Sequence, residues 1–205
     1  MKLNEVFMYA SVIKRILDLE ISIVLMPFLI IIFVIVAFLI KLEDGGHIFY
    51  KSVRLGQNMR EFKMYKFRTM FENSPDIRNS DGTTYNSSND SRVTRIGRIL
   101  RETSIDETAQ LINVIKGDMS FVGPRPSPLG NMHLYSKEYL KKFSVKPGIT
   151  GYNQAFFRNN ASLYQRQKND IYYIENISFK LDCKIIFKTF FTVLKRESIY
   201  NRNNN

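Results

Sequence analysis

The longest apolar run in the chain, Ile21–Ile40 (ISIVLMPFLIIIFVIVAFLI), holds twenty positions without a charge. As a helix it would be about 30 Å long, enough to cross the hydrocarbon core of a bilayer. The run is too long for the apolar region of a removable leader, and no small-residue cleavage site follows it, so it reads as a membrane segment. Pro27 removes the hydrogen bond to the Ile23 carbonyl and bends the helix. Two topologies are open: a kinked single-pass anchor, which the residues alone favour, or a helix that dips into one leaflet and returns.

After this run the pattern changes period. GGHIFYKSVRLGQNMREFKMYKFRTM alternates apolar and basic residues around a Gly-Gln-Asn turn, predicting a hairpin of residues 48–54 with 61–68. Lys63, Tyr65 and Phe67 share one face, and Met64, Lys66 and Arg68 the other. Neither face is purely apolar, which suggests phosphate or lipid headgroups beside this hairpin as well as core. Residues 72–91 have no hydrophobic period and read as a mobile loop. RVTRIGRILRETS is basic and amphipathic, a helix is expected over 105–116 up to Gly117, and a short one over 133–143. VKPGITGYNQ is a Pro-Gly turn leading into an extended piece.

Helices over 162–175 and 179–195 finish the pattern. In the second, Phe179, Ile186, Phe190 and Val193 line one side, with Lys180, Lys184, Lys188 and Lys195 on another. Such a helix usually turns its apolar side to a core. The alternative is a helix lying in the membrane interface with its lysine stems snorkelling to headgroups, and the nearby membrane segment favours that.

Charge narrows the partners. Thirty basic against nineteen acidic residues give a net charge of +11, which calls for an anionic partner: nucleic acid, membrane surface or phosphorylated substrate. Residues 41–68 carry seven basic and three acidic side chains, placing the C-terminal bulk in the cytoplasm by the positive-inside tendency. The single Cys183 and two histidines leave no multi-cysteine zinc site, so any hydrolytic or transfer chemistry would have to rest on carboxylates and arginines, with a hard ion as the kind of metal that could join them.

The candidate chemistry lies in RETSIDETAQLINVIKGDMSFVGPRP, residues 101–126. Ser104 with Glu107 forms a capping-box pattern, and Asp106 falls in the first helical turn, so a plain helix start accounts for the pair. The same position suits catalysis: a helix N-terminus favours the ionised Asp106 that a nucleophile requires, and neighbouring side chains point about 100° apart. Attack on a phosphate needs cations to offset repulsion. Arg101, Arg125 and Arg158 are candidates, and Arg125 starts from a rigid turn because prolines flank it.

Together, YKFRTM, TSIDE, KGDMSFVGPRP and KPGITG resemble the monotopic phosphoglycosyltransferases among the bacterial sugar transferases. The matching pieces cover most of residues 12–195. The resemblance implies transfer of a sugar 1-phosphate from a UDP-sugar to a polyprenyl (undecaprenyl) phosphate, with release of UMP, at the start of surface-glycan or glycoprotein-glycan synthesis. It implies Asp106 as nucleophile and magnesium ligand, through a covalent phosphosugar intermediate, and Glu107 positioning or deprotonating the acceptor. Arg101, Arg125, Arg158 and Arg68 would contact phosphate or nucleotide. The implied fold is α+β and mostly helical: a re-entrant membrane helix kinked at Pro27 in segment 1–42, a small hairpin and interface helices around one catalytic domain over 43–198, and a disordered tail over 199–205. Met26 stands where the family has the serine of its Ser-Pro break. The implied location is the bacterial inner membrane with the catalytic domain in the cytoplasm. Implied partners are donor, acceptor, membrane lipids and downstream glycosyltransferases, without nucleic acid.

Two rivals remain at this level. A basic membrane-anchored module binding nucleic acid or phospholipid would not need Asp106 and Glu107. A UDP-sugar hydrolase would keep the fold but turn over without polyprenyl phosphate. The identity of the sugar is not legible; an N-acetylated sugar is weakly favoured by analogy with small members.

Overall fold

The structure is a computed structural model that describes residues 8–77, 85, 87 and 89–195. The tail expected over 199–205 lies outside these residues, as do positions 78–84, 86 and 88 of the polar loop.

The apolar run becomes part of one long helix, α1 (Lys14–Asp44), which continues from a π-helical turn at Tyr9–Ile13 and passes through Pro27. Lys14, Asp18, Ser22, Met26, Leu29, Phe33, Val36 and Ile40 are shielded at steps of three and four, the spacing of one helix face. The other side leaves Ile23, Val24 and Phe28 65–70 % exposed. So large an apolar surface in the open is the mark of an element that meets a membrane or another protein, and its length and composition suit a membrane.

Both ends of α1 are tied to the same domain. At the start, Lys14 pairs with Asp182, and the Asp18 carboxylate accepts from Ser120 Oγ and the Phe121 N–H, each at 3.1 Å. Arg15 donates to the carbonyls of Val114 and Ile115, the second at 2.9 Å. At the other end, Asp44 takes the guanidinium of Arg68, and Glu43 accepts the N–H groups of Arg95 at 2.6 Å and Ile96 at 3.1 Å.

The hairpin forms as expected: β1 (Phe49–Leu55) and β2 (Glu61–Phe67) pair antiparallel, with Tyr50 opposite Lys66 and Lys51 opposite Tyr65. Asn58 and Met59 take left-handed φ of 54° and 58° in the connection. Both sheet faces contribute to the core, while Tyr50, Lys51, Val53 and Lys63 stay exposed. Met64 joins a cluster with Leu111, Val114 and Met119, while Phe67 joins Val36, Ile40, Leu100 and Ala109. Lys66 and Arg68, sharing the face of Met64, reach past the core to Glu107 and Asp44, which is why that face does not read as apolar. Two further strands, β3 (Ser120–Val122) and β5 (Gly148–Thr150), pair parallel, and β4 (Ser127–Pro128) extends β1.

The basic amphipathic stretch is α2 (Arg95–Thr103), capped by Thr94 Oγ1 on the Gly97 N–H at 2.8 Å. Gly97 is there because no side chain fits: a Cβ would lie 2.0 Å from the Thr69 carbonyl oxygen. The helix expected over 105–116 is two pieces, a 3₁₀ segment at Ile105–Gln110 and α3 (Leu111–Lys116), ended by Gly117 at φ 89°. The predicted capping box is not made. Ser104 ends α2 in a left-handed conformation, φ 58°, whereas an N-cap needs extended backbone.

The helix expected over 133–143 is likewise replaced by 3₁₀ segments, Leu129–Leu134 and Tyr139–Ser144. The tighter turn stacks residues three apart, and Lys142 thereby donates to Tyr139 Oη at 2.8 Å. After the short α4 (Tyr152–Phe156) come α5 (Leu163–Glu175) and α6 (Phe179–Leu194), close to expectation. In α6 the inward face is Asp182, Ile185 and Thr192; Phe187, Phe190 and Leu194 are 59–67 % exposed. The side bearing Phe179, Ile186 and Phe190 is thus turned outward rather than into a core.

Candidate active site

The dyad sits where β2 packs against the 3₁₀ segment 105–110. One buried side chain sets this contact. Asn113, on α3, accepts the Tyr65 N–H at 3.0 Å and donates to the Lys63 carbonyl at 2.8 Å. It thus occupies the free edge of β2 as another strand would. Strand alternation then aims Lys66, the residue after Tyr65, at the acidic pair.

Lys66 Nζ lies 2.6 Å from Glu107 Oε1 and 3.6 Å from Asp106 Oδ2. Arg125 Nη2 approaches the same Glu107 oxygen at 3.4 Å. Arg101, from α2, donates through Nε to Thr69 Oγ1 at 2.9 Å, and its charge also acts on Asp106. Three cations from three elements therefore surround two adjacent acids.

The two carboxyls are unequal. Burial pushes the Asp106 carboxyl upward, with Lys66 pulling against it; Asp106 is 8 % exposed. Glu107 also loses water, but Lys66 and Arg125 outweigh that loss and hold it down at about 2. The ionised form of Asp106 is therefore supported by cations, not by the helix N-terminus expected from the sequence, since the 3₁₀ segment has only six residues. Asp106 accepts no hydrogen bond from the described residues, so its oxygens remain available to an incoming atom.

Other expected contacts fall elsewhere. Arg68 is buried: it chelates Asp44, donates to the His47 carbonyl at 2.6 Å and to the Met70 carbonyl at 3.1 Å. Four of its five donors are engaged in joining α1 to the hairpin, which is a structural post and not a free phosphate contact. Arg158 lies on the 3₁₀ turn Arg158–Asn160 with φ 47°, its carbonyl accepting from Asn153 Nδ2 at 3.3 Å; the cations on the dyad come from other elements. Pro27 is within α1, and Ser22 donates to the Asp18 carbonyl at 2.6 Å, a local helix bond.

Lys66 and Asn113 were not singled out by their sequence setting. For Lys66 a signal existed, its place on the same strand face as Met64 and Arg68. An asparagine inside an apolar helix was the only sign of Asn113.

A divalent ion can be tested against this donor set. Among the described residues no group of three or more His, Cys, Asp or Glu could hold a metal. Magnesium needs no such cage, since one or two carboxylates with substrate phosphates and water suffice. The open acceptor oxygens of Asp106 fit that mode.

Comparison with known proteins gives the class. Residues 9–196 match the family model described as bacterial sugar transferase, so the chain belongs to that family and is a sugar transferase. Among its relatives, the "uncharacterized sugar transferase EpsL" of Bacillus subtilis is 39% identical over 192 residues, covering 94% of this chain and 92% of that protein. A UDP-N-acetylgalactosamine-undecaprenyl-phosphate N-acetylgalactosaminephosphotransferase of Aeromonas hydrophila is 37% identical over 188 residues, 89% of this chain and 44% of that one. An undecaprenyl-phosphate glucose phosphotransferase of Komagataeibacter xylinus is 40% identical over 201 residues, 93% and 36% respectively. This chain spans less than half of the last two.

Proposed function

We propose that this protein transfers a sugar 1-phosphate from a UDP-sugar to undecaprenyl or a similar polyprenyl phosphate, releasing UMP, as the first step of a surface glycan. The observation that carries the reading is Asp106: buried, free of hydrogen bonds from the described residues, and facing the charges of Lys66, Arg101 and Arg125, which pull against the burial that raises its carboxyl.

An Asp106 oxygen attacks the sugar-bearing phosphorus. The bond from that phosphorus to the bridging oxygen breaks, and UMP leaves with the electron pair. The acceptor's phosphate oxygen then attacks the same phosphorus and the aspartyl oxygen departs, restoring the carboxylate. Arg125, 56 % exposed at its side chain, reaches out to meet donor phosphate oxygens, and Arg101 contributes positive field from α2. A magnesium ion held by Asp106 and the diphosphate would supply Lewis-acid neutralisation of the phosphate charge.

Of the two roles open to Glu107, positioning fits better than deprotonation. A carboxyl held at about 2 is a weak base, and a phosphate monoester, with a second pKa near 6, is already mostly dianionic at neutral pH. Glu107 instead keeps Lys66 and Arg125 beside Asp106.

The anchoring of both ends of α1 on one polar domain supports a re-entrant rather than a spanning helix. A straight 31-residue helix would be about 46 Å long, and its Lys14–Asp182 and Asp44–Arg68 pairs would fall on opposite sides of a bilayer. The exposed phenylalanines of α6 would rest in the same leaflet, with the domain on the cytoplasmic side of the inner membrane.

The test is UMP release from a panel of UDP-sugars with Mg²⁺, with and without polyprenyl phosphate, alongside mass spectrometry of protein given donor alone. The expected results are acceptor-dependent UMP, a phosphosugar adduct on the Asp106 peptide, and no turnover by Asp106→Asn. Acceptor-independent turnover would make the protein a hydrolase; near-normal release by Asp106→Asn would remove the nucleophile.

A further inference from the structure

Behind the Pro-Arg-Pro turn lies a buried charged group that the chemistry above does not use. Lys142, Asp170 and Tyr139 are each 4–6 % exposed. Tyr139 Oη donates to Asp170 Oδ2 at 2.7 Å, and Lys142 Nζ donates to Tyr139 Oη at 2.8 Å and lies 3.4 Å from the same carboxylate oxygen. The third donation of that ammonium goes to the backbone carbonyl of Arg125, at 2.9 Å.

A lysine and an aspartate so buried cost much desolvation energy, and nearby apolar side chains could fill the space at lower cost. What an apolar core could not supply is a fixed donor for the Arg125 carbonyl. The chain before that carbonyl is held as well, by the Gly123 N–H donating to the Thr150 carbonyl at 2.9 Å and the Gly148 N–H to the Pro124 carbonyl at 3.0 Å, and after it Ser127 pairs with Leu55 of β1. With prolines on either side, little freedom remains in the Arg125 backbone. Its long side chain is half exposed and therefore takes its direction from that backbone.

We propose that Lys142, Asp170 and Tyr139 are positioning residues that aim the Arg125 guanidinium at Glu107 and the donor phosphates. This rests on the phosphosugar-transfer reading. Lys142 acts through Arg125 and touches no reacting atom.

The experiment is a double-mutant cycle on UMP release. Lys142→Met and Tyr139→Phe are each made in the wild-type and in the Arg125→Ala background, with kcat and KM for the donor measured separately. In the wild-type background Lys142→Met should cut kcat/KM by roughly ten- to a hundredfold, the size expected for misplacing a charge contact, with the same KM-against-kcat split as Arg125→Ala. In the Arg125→Ala background the same change should cost less than about twofold, because coupled residues are non-additive. Equal losses in both backgrounds, or unchanged kinetics in folded Lys142→Met, would overturn the proposal. If Lys142→Met does not fold, Tyr139→Phe, which keeps the ring and removes one hydroxyl, decides it by the same cycle. A wild-type protein inactive on every donor would instead count against the transfer reading.

Discussion

Replacing Lys66 with methionine keeps the aliphatic stem and removes the charge nearest Asp106. At 3.6 Å a unit-charge pair is worth about 4.6 kcal/mol at an effective dielectric of about 20, and about 1.2 kcal/mol if water fills the gap. Losing the ammonium would therefore drive the Asp106 carboxyl further up. The sign follows from the chemistry. Burial already raises this carboxyl, Lys66 lowers it, and the attacking form is the anion. In Lys66→Met the acid limb of kcat/KM therefore moves to higher pH, activity is lost first on the acid side, and part of it returns as the pH rises. Lys66→Arg keeps the cation and should shift the limb far less. The assay is UMP release at several pH values spanning neutrality, with a thermal-melt control for folding. A folded Lys66→Met protein whose acid limb stays in place would refute the claim that Lys66 favours the ionised form of Asp106.

Three further outcomes are expected. Arg68→Met removes a buried guanidinium and its hydrogen bonds and should cost about 1–3 kcal/mol of stability, seen as a lower melting point in detergent, while the folded fraction keeps its donor KM; a normal melt with a raised KM would return Arg68 to the substrate. Gly97→Ala puts a methyl 2.0 Å from the Thr69 carbonyl and should destabilise by about 1–3 kcal/mol, with Arg101 displaced and kcat/KM reduced; an unchanged melt and rate would refute the close approach. A polarity-sensitive fluorophore on Phe190→Cys, in a Cys183→Ser background, should emit to the blue in nanodiscs relative to one at Lys63→Cys. Equal emission from both sites would put the outer face of α6 in water.

Much of the architecture was legible because it follows from local periodicity. The apolar run predicted α1, alternation predicted the hairpin within a residue at most ends, and the 3.6-residue pattern located α5 and α6. Errors fell where tertiary contacts chose the backbone. Ser104, in a capping-box setting, became the left-handed end of α2 because the chain had to turn there to carry Asp106 to β2. The stretch 133–143 took a 3₁₀ form that stacks Tyr139 beneath Lys142. α6 turns Asp182 inward to meet Lys14 and Tyr9, the latter at 2.7 Å, so its phenylalanines face out.

From the sequence alone came the acids, the rigid turn around Arg125, the apolar helix and the excess of positive charge. These are properties of residue type and spacing, which do not depend on what packs against them. Only the folded chain decided which cations serve the dyad. Lys66 is forty residues before Asp106 and reaches it because Asn113 seats β2, whereas Arg68, two residues further on the same face, meets Asp44 and is held there. Long-range electrostatic partners depend on strand register and helix docking, and a one-dimensional pattern carries no term for either.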